Sequence, residues 1–395
     1  MINDNISILE HLSKNFFQRA KDYDGKPEFP HRNFDDIVDE NLHIANMSRD
    51  YGGLGMGFEE IVKLIIKLSE GCSSTGLSLA MHYYSLGGFQ QILNEEQKNI
   101  VFKDIRENGE FIASVSDPNV LFMFNKEQIE SLTTIKARKV PGGYIINGFK
   151  PTVTGCPRIK YLPIYCFQAD LKKETPYGLT ALLTEIPSEG VTVKESWNYS
   201  GMRASMSHDV YFNDVFVPDN YLLGREGYAI EDTQDLIYWF RLAFVSVYHG
   251  IAQSAYNHVL KVVEKKRDRI SNKPLAFLPG VQYKIAEMKI KLEVSKAQLL
   301  SSAQQADREL NSGKFTNDLY TQTLIAKQFV TKIANEIVYM AMQIVGFKSL
   351  DKGDLLERLY RDVRAATFHP PTEDLLKEVI GKKELGIISL KKRWV

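Results

Sequence analysis

Cysteine is scarce in this sequence: only Cys72, Cys156 and Cys166 occur in 395 residues. Their spacing matches no metal knuckle, and so few thiols make no disulfide framework. Reduced thiols and a cytoplasmic chain are the expectation. Charge of one sign is missing too. Lys and Arg together number 49, Asp and Glu also 49, and the net charge is +0. A nucleic-acid binder shows a basic surplus, so no nucleic-acid partner is expected. No apolar run reaches the roughly 18 residues that span a bilayer. The opening stretch MINDNISILEHLSKN is acidic and polar, without the basic-then-apolar order of a secretory leader. Internal repeats and low-complexity tracts are absent. What remains is a globular composition, 44% hydrophobic and 25% charged. The length allows one large core or two to three domains.

Residues 1–110 read as helical. GFEEIVKLIIKLSEG places Ile61, Leu64, Ile65 and Leu68 on one helical face, after the glycine-rich turn YGGLGMG. The texture changes near residue 111. TTIKARKV-PGG-YIINGFK reads as two strands around a turn, and YLPIYCFQA, GLTALLTEIP, GVTVKES and DVYFNDVFVP follow as short strands. This β region is assigned to 111–222. From 223 to 395 the chain is helical again. Tyr248, Ile251, Ala252, Ala255, Val259 and Val263 make one stripe, and Val281, Ile285, Met288 and Leu292 a second. Leu324, Ile333 and Ile337 mark a third helix over about 317–345. Long striped helices pack as a bundle. The order predicts an α+β chain with segregated helical, β and bundle domains, not alternating βαβ units. GGLGMG follows no strand, so it is a weak match to a phosphate loop.

Several stretches, in order, resemble the acyl-CoA dehydrogenase superfamily. WNYSGMRASMSHDVYFNDVFVP (197–218) is similar to its G-M-R-x-S/T-x-S-x-D-V stretch running into V-F-V-P. YGGLG (51–55), ASVSDP (113–118), YIINGFKPTVTG (144–155), PLAFLPGVQYKIAEM (274–288), QIVGF (343–347) and LLERLYRDVR (355–364) also match its text. The resemblance spans nearly the whole chain. It implies an N-terminal helical domain, a central β-barrel-like domain and a C-terminal four-helix bundle. It also implies a flavoprotein, homodimeric or homotetrameric, with flavin between the β domain and the bundle.

The resemblance assigns residues one by one. Ser116 and Thr154 fall where the family places the hydroxyls that hold the flavin ring, and a neutral donor near N5 suits hydride arrival. Thr152 stands where the family has an aromatic. Ser205 and His208 lie in a loop expected near the flavin phosphates or ring edge; His208 is read as a structural histidine. Gln343, Val345 and Gly346 match most of the Q-x-x-G-G turn that contacts the FAD diphosphate across a subunit interface. Phe347 replaces the second glycine, which makes backbone approach less close. Arg267 or Arg269 is placed to pair with the diphosphate, although Ile270 and Ser271 replace the family's aromatic and glycine. FAD is the expected cofactor, with FMN open. Each of these side chains also has a plainer reading, as a turn hydroxyl or a solvated helix end.

The family's catalytic carboxylate is missing. It usually follows the RD helix in Y-E-G-T, where this chain has His369, Pro370, Pro371 and Thr372. In a minority it precedes an arginine in the first bundle helix, where this chain has Phe240-Arg241. Arg241 is kept. His369 and His82 are the candidate bases, since imidazole titrates near neutrality; the plainer reading of His369 is a helix-ending turn before proline. The leading expectation is α,β-dehydrogenation of an acyl-CoA thioester with hydride transfer to FAD and an electron-transfer flavoprotein as partner. TFHPP also resembles the branch of two-component monooxygenases, which take reduced flavin from a flavin reductase and act on non-CoA small molecules. A catalytically inactive flavin-binding scaffold is the third reading.

Overall fold

The structure is a computed structural model that describes residues 2–115 and 129–387. Helices α1 (Ile2–Gly25), α2 (His31–Asp39), α3 (Phe58–Gly71), α4 (Ser73–Ile92) and α5 (Glu95–Asn108) come first. Strand β1 (Phe111–Ile112) and helix α6 (Ile129–Leu132) lead into β2 (Ile135–Val140), β3 (Gly143–Val153), β4 (Ile159–Phe167), β5 (Leu179–Glu185), β6 (Val191–Lys194), β7 (His208–Pro218) and β8 (Leu222–Leu223). The rest is α7 (Ala229–Asp232), α8 (Leu236–Lys265), α9 (Pro279–Asn311), α10 (Asn317–Val345), α11 (Leu355–Phe368) and α12 (Glu373–Glu384). This is the expected α+β fold, helical at both ends around one sheet. Among the described residues, no helix is long and apolar enough to cross a membrane.

The sheet runs β6-β7-β3-β2-β4-β5-β8, with β1 paired to β4. The predicted hairpin is β2–β3, antiparallel from Val140↔Gly143 outward. Alternation on β7 puts Val210, Phe212, Val215 and Val217 into the sheet's own core. That core is separate from the helical one.

Helix α4 falls in the stretch read as helical, but it shows no apolar stripe of its own, and its burial explains why. All residues from Ser73 to Phe89 are buried, so there is no polar face to reveal a helical period. Gly76, Gly87 and Gly88 let neighbours close in: a Cβ there would lie 2.0 Å from the Ser69 hydroxyl, 2.6 Å from Trp239 and 2.0 Å from Leu236. Helix α8 packs against α3, α4, α9, α10 and α11. It is the axis of the bundle and its seam with the N-terminal helices.

The glycine-rich turn before α3 leads into a helix whose N-terminus is capped from within the chain. The Asp307 carboxylate of α9 caps α3, accepting from the N–H groups of Phe58 at 2.6 Å and Glu59 at 3.0 Å. The positive end of that helix is already occupied.

Candidate active site

The RD pair of α11 docks the β domain onto the bundle. Arg361 donates to both Asp24 oxygens, at 3.0 and 2.6 Å, and to the Ser200 carbonyl at 2.6 Å. Asp362 is fully buried; it accepts from the Met202 N–H at 2.6 Å and from the Ser73 hydroxyl. Burial raises its pKa while those bonds oppose the rise. The docked loop is held tightly. Met202 (φ 52°) and Met206 (φ 41°) are both left-handed, a conformation that costs a non-glycine residue free energy. A Cβ on Gly201 would lie 2.3 Å from the Arg361 carbonyl, so only glycine fits.

That loop carries a chain of hydroxyls. Ser205 and Ser207 share a hydrogen bond of 2.9 Å, and Ser207 donates to Thr154 Oγ1 at 3.1 Å. The Gly155 N–H donates to the Ser205 carbonyl at 2.9 Å. Thr154, expected beside the flavin ring, and Ser205, expected near the flavin phosphates or ring edge, are thus joined through Ser207. Ser116 lies outside the described residues. His208 accepts from the Trp197 N–H through Nδ1 at 3.3 Å, the geometry of a loop-holding histidine.

On the bundle side, α11 ends at Phe368, and His369 N–H still bonds to the Ala365 carbonyl at 3.2 Å. Pro370 and Pro371 have no N–H to continue the helix. The His369 ring is seated against α8, edge-on to Phe244 with centroids 5.3 Å apart. Its Nδ1 lies 3.0 Å from the Tyr248 hydroxyl. Burial holds the Tyr248 phenol well above its usual pKa, so it keeps its proton. The bond to His369 satisfies that buried O–H, which makes Nδ1 the acceptor and leaves the ring proton on Nε2. Burial pushes the imidazole pKa down to about 4, and the charge of Lys327 adds to the fall. With Tyr248 as the donor, the neutral imidazole favoured by this low pKa carries its proton on Nε2.

Two buried cations complete the cluster. Arg241 donates to the Thr323 hydroxyl at 3.2 Å and stacks on the Tyr320 ring at 4.3 Å. Lys327 is 1% exposed. Burial drives its pKa down to about 8, with Glu373 opposing and Arg241 adding. Tyr84, Phe240 and Phe244 line up beside them, with centroids 5.5 and 4.7 Å apart in turn. The carboxylates that act on this cluster are committed elsewhere. Asp362 is bonded as described, and the exposed Glu373 is ion-paired to Lys377 at 2.5 Å.

The other predicted residues sit apart. His82 is buried between α4 and β1. Its Nε2 lies 2.6 Å from the His43 carbonyl, and its Nδ1 accepts from the Ile112 N–H at 3.1 Å. Burial lowers its pKa to about 3. Both nitrogens are used to hold backbone. Arg267, Arg269, Gln343, Val345 and Gly346 gather at the far end of α8, where Lys266 donates to the Val345 carbonyl at 2.6 Å. Arg267 bonds within its own turn, to the Asn272 carbonyl at 2.7 Å. From Tyr248 to the end of α8 at Lys265 is about 25 Å at 1.5 Å per residue. The two groups of residues form no single compact site within one chain.

Tyr248, Ser207, Asp362 and Lys327 were not singled out in the sequence. Lys327 left a signal: it interrupts the buried stripe Leu324, Val330, Ala334, Ile337 of α10 where an apolar residue belongs.

The acyl-CoA dehydrogenase N-terminal domain family matches residues 7–107, and the acyl-CoA dehydrogenase C-terminal domain family matches residues 242–373. The chain belongs to the acyl-CoA dehydrogenase superfamily. It is a flavoprotein oxidoreductase of that group. A 3-(aryl)acrylate reductase of Clostridium sporogenes is 25% identical over 96% of this chain and 98% of its own. The fold is shared with the dibenzothiophene monooxygenase TdsC of Paenibacillus sp. A11-2 (TM-score 0.86, 20% identity, 98% of this chain and 99% of that one). It is shared equally with butyryl-CoA dehydrogenase of Megasphaera elsdenii (TM-score 0.84, 19% identity, 95% and 97%). The residues present fit a flavin. Thr154 accepts from Ser207 and keeps its own proton for an acceptor on a ring edge, and Gly346 (φ 78°) has nothing within 4 Å of where a Cβ would stand.

Proposed function

We propose that this chain is a flavin-dependent monooxygenase that acts on a small non-CoA molecule, with reduced flavin delivered by a separate reductase. The observation that carries this reading is the state of His369. It stands beside the position of the family's carboxylate, yet it is neutral, with a pKa of about 4 and Nδ1 engaged by Tyr248. So weak a base does not take a proton from carbon, because effective general bases are matched to the working pH. As a donor held between the aromatic rings of Phe244 and Tyr248 it suits an oxygen atom that is gaining electrons. The bound flavin, FMN or FAD, supplies electrons to dioxygen. The chain's residues do the rest: Thr154 and Ser207 orient the ring edge, His369 Nε2–H stabilises the reacting oxygen, and Tyr248 keeps the imidazole in that tautomer. Phe240, Phe244 and Tyr84 exclude water. The residues at the far end of α8 are read as serving the cofactor of a second copy of the chain.

Dehydrogenation or reduction of an acyl-CoA is the second reading. It is favoured by the retained Arg241 and by the names of sequence relatives, among them an acyl-CoA dehydrogenase of Bacillus subtilis, 25% identical over 96% of this chain. The test is a pair of titrations. Reduced protein mixed with air should give an oxygen-dependent absorbance transient that His369→Ala shortens at least tenfold. Acyl-CoAs added without oxygen should leave oxidised flavin unbleached. Bleaching by any thioester, with no transient in air, replaces the first reading with the second. Neither response leaves a flavin-binding scaffold.

A further inference from the structure

The Lys327 side chain is 1% exposed and lines a cavity, and among the described residues it makes no ion pair within 4 Å. A charge so largely withdrawn from water is costly. An apolar residue on this stripe would avoid that cost, so an ammonium at the mouth of a cavity points to an anionic ligand. That cavity, of about 210 Å³, lies between α10, α11 and the start of α12. Lys332 and Arg364 line the same cavity. Its two carboxylates are already committed, Glu336 to Lys291 and Glu373 to Lys377. The cavity therefore holds a surplus of positive charge. It adjoins the His369 turn, because Thr367 and Glu373 on either side of that turn both line it.

We propose that Lys327 anchors the acid group of the substrate, a small singly charged organic oxyanion, a carboxylate or a sulfonate, with its reacting end directed toward His369. The substrate class rests on the monooxygenase reading; the anion site itself does not. The volume suits an acid the size of benzoate or smaller.

The test is binding to the flavin-loaded protein at pH 7, read by calorimetry and by the thermal midpoint. The probes are acetate, benzoate, methanesulfonate, benzenesulfonate, neutral benzamide and sodium chloride. At least one organic anion should saturate and raise the midpoint, while benzamide and chloride should not. The carboxylate and sulfonate arms say which head group fits. Lys327→Met should weaken that binding at least tenfold and leave the unliganded midpoint equal or higher. Lys327→Arg should restore binding and guards against a methionine variant that fails to fold.

Binding should fade above about pH 8, where the ammonium loses its proton. The charged and titratable groups around it are Arg241 on α8, Lys332 and Glu336 on α10, Arg364 on α11, His369 in the turn and Glu373 on α12. The proposal is overturned if no organic anion saturates, if chloride competes equally, or if Lys327→Met binds as the wild type does. Anion binding without oxygen-dependent turnover removes the monooxygenase and leaves the site.

Discussion

The Asp362 carboxylate and the Met202 N–H meet at 2.6 Å, 160 residues apart in sequence. Through that bond helix α11 grips the loop that carries Ser205 and Ser207. Seven residues after Asp362 comes His369. One short helix therefore sets the ring-side hydroxyls and the imidazole relative to each other.

Asp362→Ala should be among the most damaging single changes. It strands the Met202 N–H and the Ser73 hydroxyl in the interior. A loss of about 3 kcal/mol is expected for a buried hydrogen-bonded carboxylate, read as a fall in the urea midpoint. Flavin content should drop with it, because the loop loses its anchor. An unchanged midpoint would mean that the loop is held by Arg361 alone.

His369 makes stability depend on pH. Its folded pKa, about 4, lies below the ordinary 6.5, so the unfolded chain binds the extra proton between those values. Its contribution is fully present above pH 6.5 and is lost as pH falls toward 4, by about 3 kcal/mol at most. Other buried histidines titrate in the same range. The informative quantity is the stability of wild type minus that of His369→Gln, which should fall steadily as pH drops below 6.5. A constant difference would place the imidazole in water.

Tyr248→Phe removes one oxygen atom from the pair. The fold should lose only about 1 kcal/mol. Turnover should fall more than tenfold with the apparent KM for substrate little changed, because Nδ1 loses the donor that sets its tautomer. Equal losses in KM and turnover would instead indicate a packing role.

His82→Gln separates the clamp from the catalyst. The His43 carbonyl and the Ile112 N–H lose fitted partners, and about 2 kcal/mol of stability should go with them. Turnover per folded molecule should stay within threefold of wild type. A loss of a hundredfold or more, with the fold intact, would put His82 back into the chemistry.

Asp307→Ala tests the helix cap. Two N–H groups of α3 lose a charged acceptor, and about 1–2 kcal/mol should follow. Flavin binding should be unaffected.

What the sequence determined by itself follows from local rules. The α+β class came from a change of period, from about 3.6 residues to 2 and back. The β2–β3 hairpin came from Pro141-Gly142-Gly143, and the stripe on α8 from apolar spacing. The proximity of Thr154 and Ser205 and the missing carboxylate were legible because a family pattern lies over them. The bounds of helix α4 within the helical stretch were not, because a helix buried on every side has no polar face to mark its period.

Only the tertiary structure decided what the imidazoles do. His82 and His369 look alike in the sequence, each a histidine beside apolar residues. One has both nitrogens tied to backbone, and the other has one nitrogen tied and one left to donate. The protonation state and reach of a side chain depend on groups brought to it from distant parts of the chain. Tyr248 lies 121 residues from His369, and no local pattern connects them. The same reason hid Lys327, whose meaning depends on burial and on the cavity that it lines. Both are properties of the packed molecule and belong to no segment of it.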